Sequence, residues 1–178
     1  MTPVLDLLVG SVLELGAHDG SWHTGAILTR AGSNPVAVIE LDALAANTLR
    51  VNWPTVRVLV ADYHSALAGV GQYDSITFFG VLGHSHAPLD LIESAVIYVK
   101  PKRIFIEAEP GGLVRCVREG VNQPGQRQSR RLTCGLSLQL GMLIYRDALA
   151  NLGYESIFTY TETQGHRAGF EYSVFERV

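Results

Sequence analysis

A short turn with glycine at both ends is followed, about 20 residues later, by an acidic residue. Gly16 and Gly20 bound the turn, and Glu40 follows an apolar segment. Glycine lets a backbone approach a ligand closely, and a carboxylate after a second strand accepts hydrogen bonds from ribose hydroxyls. This order and spacing are typical of a nucleotide-binding strand–helix–strand unit. The sequence therefore predicts a site for a cofactor that contains adenosine.

The glycine turn and Glu40 follow apolar segments of strand length, and further segments of this kind occur along the chain. Strands are predicted over 11–15, 36–39, 56–60, 74–79, 103–106, 155–160 and 172–176. The first five are nearly continuous apolar runs, which indicates a parallel sheet buried on both faces. The last two are joined by a connection too short for a helix and should pair antiparallel. The pattern predicts an α/β fold with a doubly wound, Rossmann-like, seven-stranded sheet, mostly parallel, with one antiparallel strand from a C-terminal hairpin.

The intervening segments supply helices and one long insertion. Helices are predicted over 21–30, 43–51, 89–99 and 145–152. The segment 109–141 contains five arginines, glycines and a proline, and a structureless loop of that length would be unusual. We expect it to form a flap or a short inserted helix, the latter around 113–119, within one domain spanning 1–178. Its arginines either bind a phosphate or carboxylate or form a solvated segment.

The composition limits the class of protein. The chain has 178 residues, of which 47% are hydrophobic and 17% charged, as expected of a soluble globular domain. Its net charge of −3 argues against a generally basic nucleic-acid binder. The two cysteines have no metal-like spacing and predict neither a metal site nor a disulfide framework, so a cytoplasmic location is expected. We expect no signal peptide and no membrane span, because no apolar run approaches the required length.

The glycine turn and the strand order resemble those of class I S-adenosylmethionine-dependent methyltransferases over residues 11–178. The segments VLELGAHDGSW and FFGVLGHSHAPLDLI are most similar to the branch of the tRNA wobble-uridine 5-oxy methyltransferases and their small-molecule relatives. Two features depart from that branch: Gly83 replaces an aromatic residue, and the larger N-terminal region of the tRNA enzymes is absent. The resemblance implies S-adenosylmethionine as cofactor. Because of the departures from the branch and the acidic net charge, we expect a small-molecule acceptor, with O-methylation preferred, rather than a tRNA or RNA acceptor.

The resemblance also implies a set of cofactor-binding residues at the ends of four strands. These are Glu14, Gly16, Ala17, Gly20, Glu40, Asp62, Tyr63, Phe79 and Gly80. Glu14 would help to place the methionine ammonium, Glu40 the ribose and Asp62 the adenine amino group. Turn and helix-capping roles stay open for the acidic residues, and Asp42 fits an N-cap better than a ligand contact.

Histidines near the expected site are the candidates for proton transfer. The resemblance places His84 at a histidine position of the family, so His84 is the predicted base or substrate contact; a structural role at a helix entry stays open. His86 is expected in solvent. His18 and His23 flank the glycine turn and either contact a ligand or play an incidental part.

Two acids, Glu107 and Glu109, end the fifth strand on the expected substrate side. They either bind a cationic or hydroxylated substrate or pair with arginines of the flap. Two other functions also stay open: a dinucleotide-dependent oxidoreductase, although His18 stands where a middle glycine is expected, and a non-catalytic cofactor-binding subunit. The expected partner is a small-molecule substrate, with no membrane contact. Association between copies is left open because the short N-terminal segment leaves an apolar surface.

Overall fold

The computed structural model describes residues 3–85, 87–108, 116–121, 127–132, 138–164 and 168–178. Nine strands occur in these ranges. They are β1 Val12–Leu15, β2 Val36–Glu40, β3 Arg57–Val60, β4 Ser75–Phe78, β5 Arg103–Ala108, β6 Cys116–Val121, β7 Arg127–Leu132, β8 Tyr154–Thr161 and β9 Glu171–Arg177. Seven of them form one sheet in the order β3-β2-β1-β4-β5-β9-β8, and β6 pairs with β7 in a separate hairpin.

The central sheet is mostly parallel. Strands β1 to β5 pair parallel, while β9 lies between β5 and β8 and pairs antiparallel with both. From β1, the chain adds β2 and β3 on one side and β4 and β5 on the other, so the direction in which strands are added reverses between β3 and β4. Open α/β sheets bind ligands at this position, beyond the carboxyl ends of the strands. The predicted fold class is confirmed.

Helices cover both faces of the sheet. They are a 3-10 helix Pro3–Leu7, α1 Thr24–Ala31, α2 Ala43–Asn52, α3 Tyr63–Val70, α4 Pro88–Ser94 continued by a π-helical turn Ala95–Val99, and α5 Leu138–Asn151. One core cluster packs α3, α4 and α5 against the sheet, and a second packs α1 and the 3-10 helix against the other face. Alternate residues of each strand therefore enter different cores.

Three details differ from the predicted elements. Helix α1 begins at Thr24 rather than at 21, because the Ser21 amide donates to the Asp19 side chain in a turn (3.0 Å). Helix α3 was not predicted. Strand β3 is an edge strand with half-exposed and exposed residues instead of a strand buried on both faces.

The predicted short helix at 113–119 is wrong where the structure describes it. Residues Cys116–Val121 form β6 and pair antiparallel with Arg127–Leu132. Gly120 disfavours a helix, and the β-branched Val117 and Val121 favour a strand. The remainder of that prediction, 113–115, lies outside the described residues, as do 109–112, 122–126 and 133–137 of the expected flap.

No helix within the described ranges has the length and hydropathy that a bilayer crossing requires.

Candidate functional site

A cavity of about 380 Å³ opens at the carboxyl ends of β1, β2 and β4. Its volume lies within the range of about 300–1,000 Å³ that small-molecule sites occupy. The lining residues are Glu14, Gly16, Ala17, His18, Trp22, His23, Glu40, Leu41, Tyr63, Phe79, Gly80, Val81 and His84. Most of the residues predicted to bind a cofactor are among them, together with the predicted base His84.

The turn after β1 brings backbone to the cavity where a side chain would block it. Gly16 has a φ of 64°, and a Cβ there would lie 2.7 Å from Cγ2 of Val81. The Gly16 amide donates to the Ile39 carbonyl (2.9 Å), which joins the turn to β2. Such a backbone conformation and so close an approach both require glycine. The prediction that Gly16 shapes this turn therefore has a steric basis.

Gly20 and Asp62 do not line the cavity. A Cβ at Gly20 would lie 2.8 Å from the Trp53 indole, so this glycine lets the turn pack on the end of α2. Asp62 is exposed and caps α3 by accepting a hydrogen bond from the Ser65 amide (3.3 Å). In this structure both residues serve local packing and capping.

Glu40 is buried and held by two backbone donors. Its Oε2 accepts from the His18 amide (2.7 Å) and its Oε1 from the Asp42 amide (2.9 Å). A carboxylate has about four acceptor positions, so two further hydrogen bonds remain available. Asp42 itself caps α2 by accepting from the Leu44 and Ala45 amides, as its sequence position indicated. The Glu40 carboxylate is thus a fixed acceptor at the cavity wall.

Glu14 occupies the neighbouring strand end and has different chemistry. It is 2% exposed and accepts a hydrogen bond from Thr24 Oγ1 (2.8 Å). Burial raises the Glu14 pKa to about 7, the Thr24 hydrogen bond opposes that rise, and the nearby Glu40 carboxylate adds to it. Near neutral pH, Glu14 therefore exists in protonated and ionised forms in comparable amounts.

Tyr63 is half-buried in the cavity wall at the start of α3. Burial raises the pKa of its phenol, and the charges of Asp62 and Glu40 add to the rise. The phenol therefore stays protonated at neutral pH. It offers the cavity a ring face and a hydroxyl, as the prediction of a contact with an adenine base requires.

The β4 end of the cavity contains an aromatic and acidic group. His23 and Phe79 pack with ring centroids 4.7 Å apart, and His23 Nε2 lies 3.7 Å from Glu107 Oε2. The Glu107 side chain is 1% exposed, whereas that of His23 is 12% exposed. His84 lies in a turn whose amide donates to the Val81 carbonyl (2.9 Å), and it is exposed at the cavity.

Sequence reasoning missed three lining residues, Trp22, Leu41 and Val81. Each is a near neighbour of a predicted residue, so its position beside the glycine turn, after β2 or after β4 was the available signal. Glu109 and His86 lie outside the described residues. Within the described ranges, no group of three or more metal-ligating side chains is brought together.

The family described as "Methyltransferase domain" matches residues 4–140, which include every residue that lines the cavity. The chain belongs to this family. The match confirms the predicted class of enzyme, a methyltransferase with S-adenosylmethionine as its cofactor. The resemblance to the wobble-uridine branch is not tested by this match and stays a prediction.

Solved structures of other methyltransferases share the fold of this methyltransferase domain. The methyltransferase domain of bacterial CtHen1-C aligns with a TM-score of 0.68 at 12% identity, covering 98% of this chain and 94% of that one. The N-methyltransferase NodS from Bradyrhizobium japonicum aligns at 0.65 and 13% identity, covering 98% and 90%. A DhpI–SAH complex aligns at 0.66 and 17% identity, covering 94% and 76%. No curated protein matches the chain in sequence.

Proposed function

We propose that this methyltransferase acts on a small-molecule acceptor and that oxygen is its preferred acceptor atom. The observation that supports the proposal is the cavity of about 380 Å³, a volume typical of small-molecule sites. Its walls carry buried carboxylates at the ends of two strands and aromatic rings at the ends of others. A negative charge of −3 for the whole chain disfavours a polynucleotide acceptor.

The residues present fit S-adenosylmethionine. Glu40 keeps acceptor capacity for two ribose hydroxyls after its two backbone hydrogen bonds. Glu14 supplies a second buried acid near the expected ammonium, and Gly16 leaves space where a side chain would collide with Val81. We assign cofactor binding to the predicted residues that line the cavity. These are Glu14, Gly16, Ala17, Glu40, Tyr63, Phe79 and Gly80.

The chain's own contribution to methyl transfer is positioning and proton acceptance. S-adenosylmethionine, when bound, supplies a methyl group on a positively charged sulfur. Phe79, Val81 and Leu41 line the cavity with apolar surface and exclude water from it. Glu40 and Gly16 fix the position of the ligand, so that the acceptor needs only to be aligned. His84 is exposed and lines the cavity, and we retain it as a candidate base or substrate contact.

Calorimetric titration with S-adenosylhomocysteine tests this function. We expect a micromolar Kd for the wild type, equivalent to about 7–8 kcal/mol. Glu40→Gln should weaken binding by about 1.5–3 kcal/mol, because an amide group replaces one of two acceptor oxygens. This substitution is preferable to alanine, because glutamine keeps one acceptor oxygen for the His18 and Asp42 amides, whereas alanine would leave both without an acceptor.

Asp42→Ala is the matched control. Asp42 is exposed, adjacent to the site, and accepts hydrogen bonds from α2 only in its capping role. Its loss should lower the free energy of unfolding by about 1 kcal/mol while leaving the Kd for S-adenosylhomocysteine unchanged. No measurable binding by a folded wild type would refute the proposal. Equal binding by the wild type and Glu40→Gln would remove Glu40 from its assigned role.

A further inference from the structure

Two residues that are far apart in the sequence meet at the β4–β5 end of the cavity. His23 precedes α1, and Glu107 is near the carboxyl end of β5. The Nε2 of His23 lies 3.7 Å from Oε2 of Glu107, and the imidazole packs on the Phe79 ring. Phe79 in turn makes an edge contact with Tyr172 of β9, whose register partner is Glu107. The imidazole of the pair therefore lies against an aromatic side chain.

The two members of the pair differ in access. Glu107 is 1% exposed at its side chain, whereas His23 is 12% exposed and lines the cavity. At Gly80 an added Cβ would lie 3.9 Å from Glu107 Oε1, so the backbone at the end of β4 runs beside the carboxylate. A ligand in the cavity would therefore meet the imidazole first, and the carboxylate would act on it through the imidazole.

We propose that His23 and Glu107 form the acceptor end of the cavity and that the acceptor presents a neutral hydroxyl group there. This inference rests on the proposed function and specifies its acceptor. His23 is the catalytic residue that takes the hydroxyl proton. Glu107 is a positioning residue that holds the imidazole and stabilises its charged form, as a buried carboxylate does beside a histidine base.

The charges of the cavity favour a neutral acceptor. Glu14 and Glu40 line the wall, and no lysine or arginine occurs among the lining residues in the described part of the chain. A carboxylate or phosphate acceptor would therefore enter a site of like charge. An ammonium acceptor has no free electron pair with which to attack the methyl carbon, so it would first have to lose a proton. A hydroxyl group meets neither obstacle.

The reaction balances without any further reactant. A bond forms between the acceptor oxygen and the methyl carbon as the carbon–sulfur bond of the donor breaks, and its electron pair goes to sulfur. The hydroxyl proton goes to a ring nitrogen of His23, and from there to solvent. Nothing is oxidised or reduced.

Three one-ring probes test the acceptor class with the full chain and radiolabelled S-adenosylmethionine. They are catechol, benzylamine and benzoate at equal concentration. We expect methyl transfer to catechol and none above background to benzoate. Faster transfer to benzylamine than to catechol would overturn the hydroxyl assignment. So would the absence of transfer to catechol by a wild type that binds S-adenosylhomocysteine. Failure to bind S-adenosylhomocysteine would instead refute the proposed function.

Substitutions separate His23 and Glu107 from the rest of the site. We expect His23→Gln to lower kcat for catechol about 10²-fold, and Glu107→Gln to lower it about tenfold or more. Both variants should keep the wild-type Kd for S-adenosylhomocysteine and its KM for the donor, which a merely structural defect would change. Calorimetry of catechol with the S-adenosylhomocysteine complex gives a readout that needs no turnover, and both variants should bind catechol several-fold more weakly.

Glu176→Gln is the matched control for Glu107→Gln. Glu176 is also a carboxylate paired with a basic side chain, Arg103, and it lies at the opposite end of the sheet. The Glu176→Gln substitution should leave kcat unchanged. Unchanged kcat in His23→Gln, with a loss in His84→Gln, would overturn the proposal and make His84 the base.

Discussion

The two ends of the central sheet use acidic side chains in different ways. At the amino end, Asp74 accepts hydrogen bonds from the amide and hydroxyl of Ser11 (both 2.9 Å) and pairs with Lys102 (2.8 Å). On the same side of the sheet, Arg103 donates twice to Glu176 (2.9 and 2.8 Å). Each of these carboxylates has a cation beside it, and together they join the beginnings of β1, β4 and β5 to the end of β9.

At the carboxyl end, three acids, Glu14, Glu40 and Glu107, are buried around the cavity. Glu14 has a threonine hydroxyl, Glu40 has backbone amides, and Glu107 has an imidazole. Ionised groups are expensive to bury unless they are paired. The amino end therefore uses its charges to stabilise the fold. At the carboxyl end, the buried Glu14 carboxylate reduces stability when it is ionised, and Glu14 and Glu40 line the cavity, where a ligand can reach them.

The largest expected effect is a loss of stability at the amino end of the sheet. A Cβ at Gly10 would overlap the Asp74 carboxylate, and the φ of 53° at Gly10 is unfavourable for any side chain. We expect Gly10→Ala to lower the free energy of unfolding by about 3 kcal/mol, since strain and the loss of the Asp74 hydrogen bonds add. Urea unfolding measures it. Gly32→Ala is the control: its φ of 61° is similar, but open space surrounds it. An equal loss in both variants would mean that backbone strain alone is responsible.

The second prediction tests whether the buried Glu14 at the carboxyl end of the sheet reduces stability when it is ionised. The Glu14 pKa is raised from 4.5 to about 7 in the folded protein. The contribution of Glu14 to the free energy of unfolding is therefore fully present below about pH 4.5 and is lost as the pH rises towards 7. Glu14→Gln removes this dependence. We expect the variant to be about 2–3 kcal/mol more stable than the wild type at about pH 8 and similar to it at about pH 4.

Urea unfolding of Glu14→Gln at the two pH values, beside the exposed Glu155→Gln as control, measures the difference. The same variant should bind S-adenosylhomocysteine more weakly than the wild type. A variant less stable than the wild type at about pH 8 would show that the Glu14 carboxylate contributes to the fold, as Asp74 does.

The smallest expected effect concerns Asp74 itself. The hydrogen bonds from Lys102 and Ser11 lower its pKa to about 2, so its contribution is present above its ordinary pKa of 3.8 and is lost as the pH falls towards 2. Because the carboxylate is partly exposed, we expect Asp74→Asn to cost only about 1–2 kcal/mol near pH 7. The loss should vanish near pH 2, as followed by thermal unfolding.

Lys102→Met should reproduce only part of the Asp74→Asn loss, because the Ser11 hydrogen bonds remain. Neither variant should change the Kd for S-adenosylhomocysteine. A change in that Kd would contradict the separation of the two ends.

The sequence was sufficient to predict the central sheet, because its strands are apolar runs that are clearly bounded by turns and helices. The spacing of the strand–turn–helix unit also placed Gly16 and Glu40 beside each other, and both line the cavity; their contacts with the cofactor stay predictions. Asp62 was harder, because an acid after a strand serves equally well as a ligand contact and as a helix cap. The structure has it cap α3, a helix that was not predicted.

Contacts between distant segments could not be predicted. The pairing of His23 with Glu107 depends on the register of β5 and on where α1 begins, and neither position is visible locally. Residues 116–119 show that local sequence can also mislead: they belong to the segment where a short helix was expected, but they form part of β6 because the partner strand β7 decides their conformation. Pairing of that kind is a tertiary effect that local propensity does not contain.

The position of β9 has a consequence for the order in which a growing polypeptide acquires its parts. Strand β9 is synthesised after every other strand, yet it lies between β5 and β8. While a ribosome still holds that segment, β1 to β4 have already emerged with the Glu14 and Glu40 wall. Glu107 then still lacks Tyr172, its neighbour across the sheet. The segments that contain Glu14 and Glu40 therefore leave the ribosome before the strand that pairs with β5 beside Glu107.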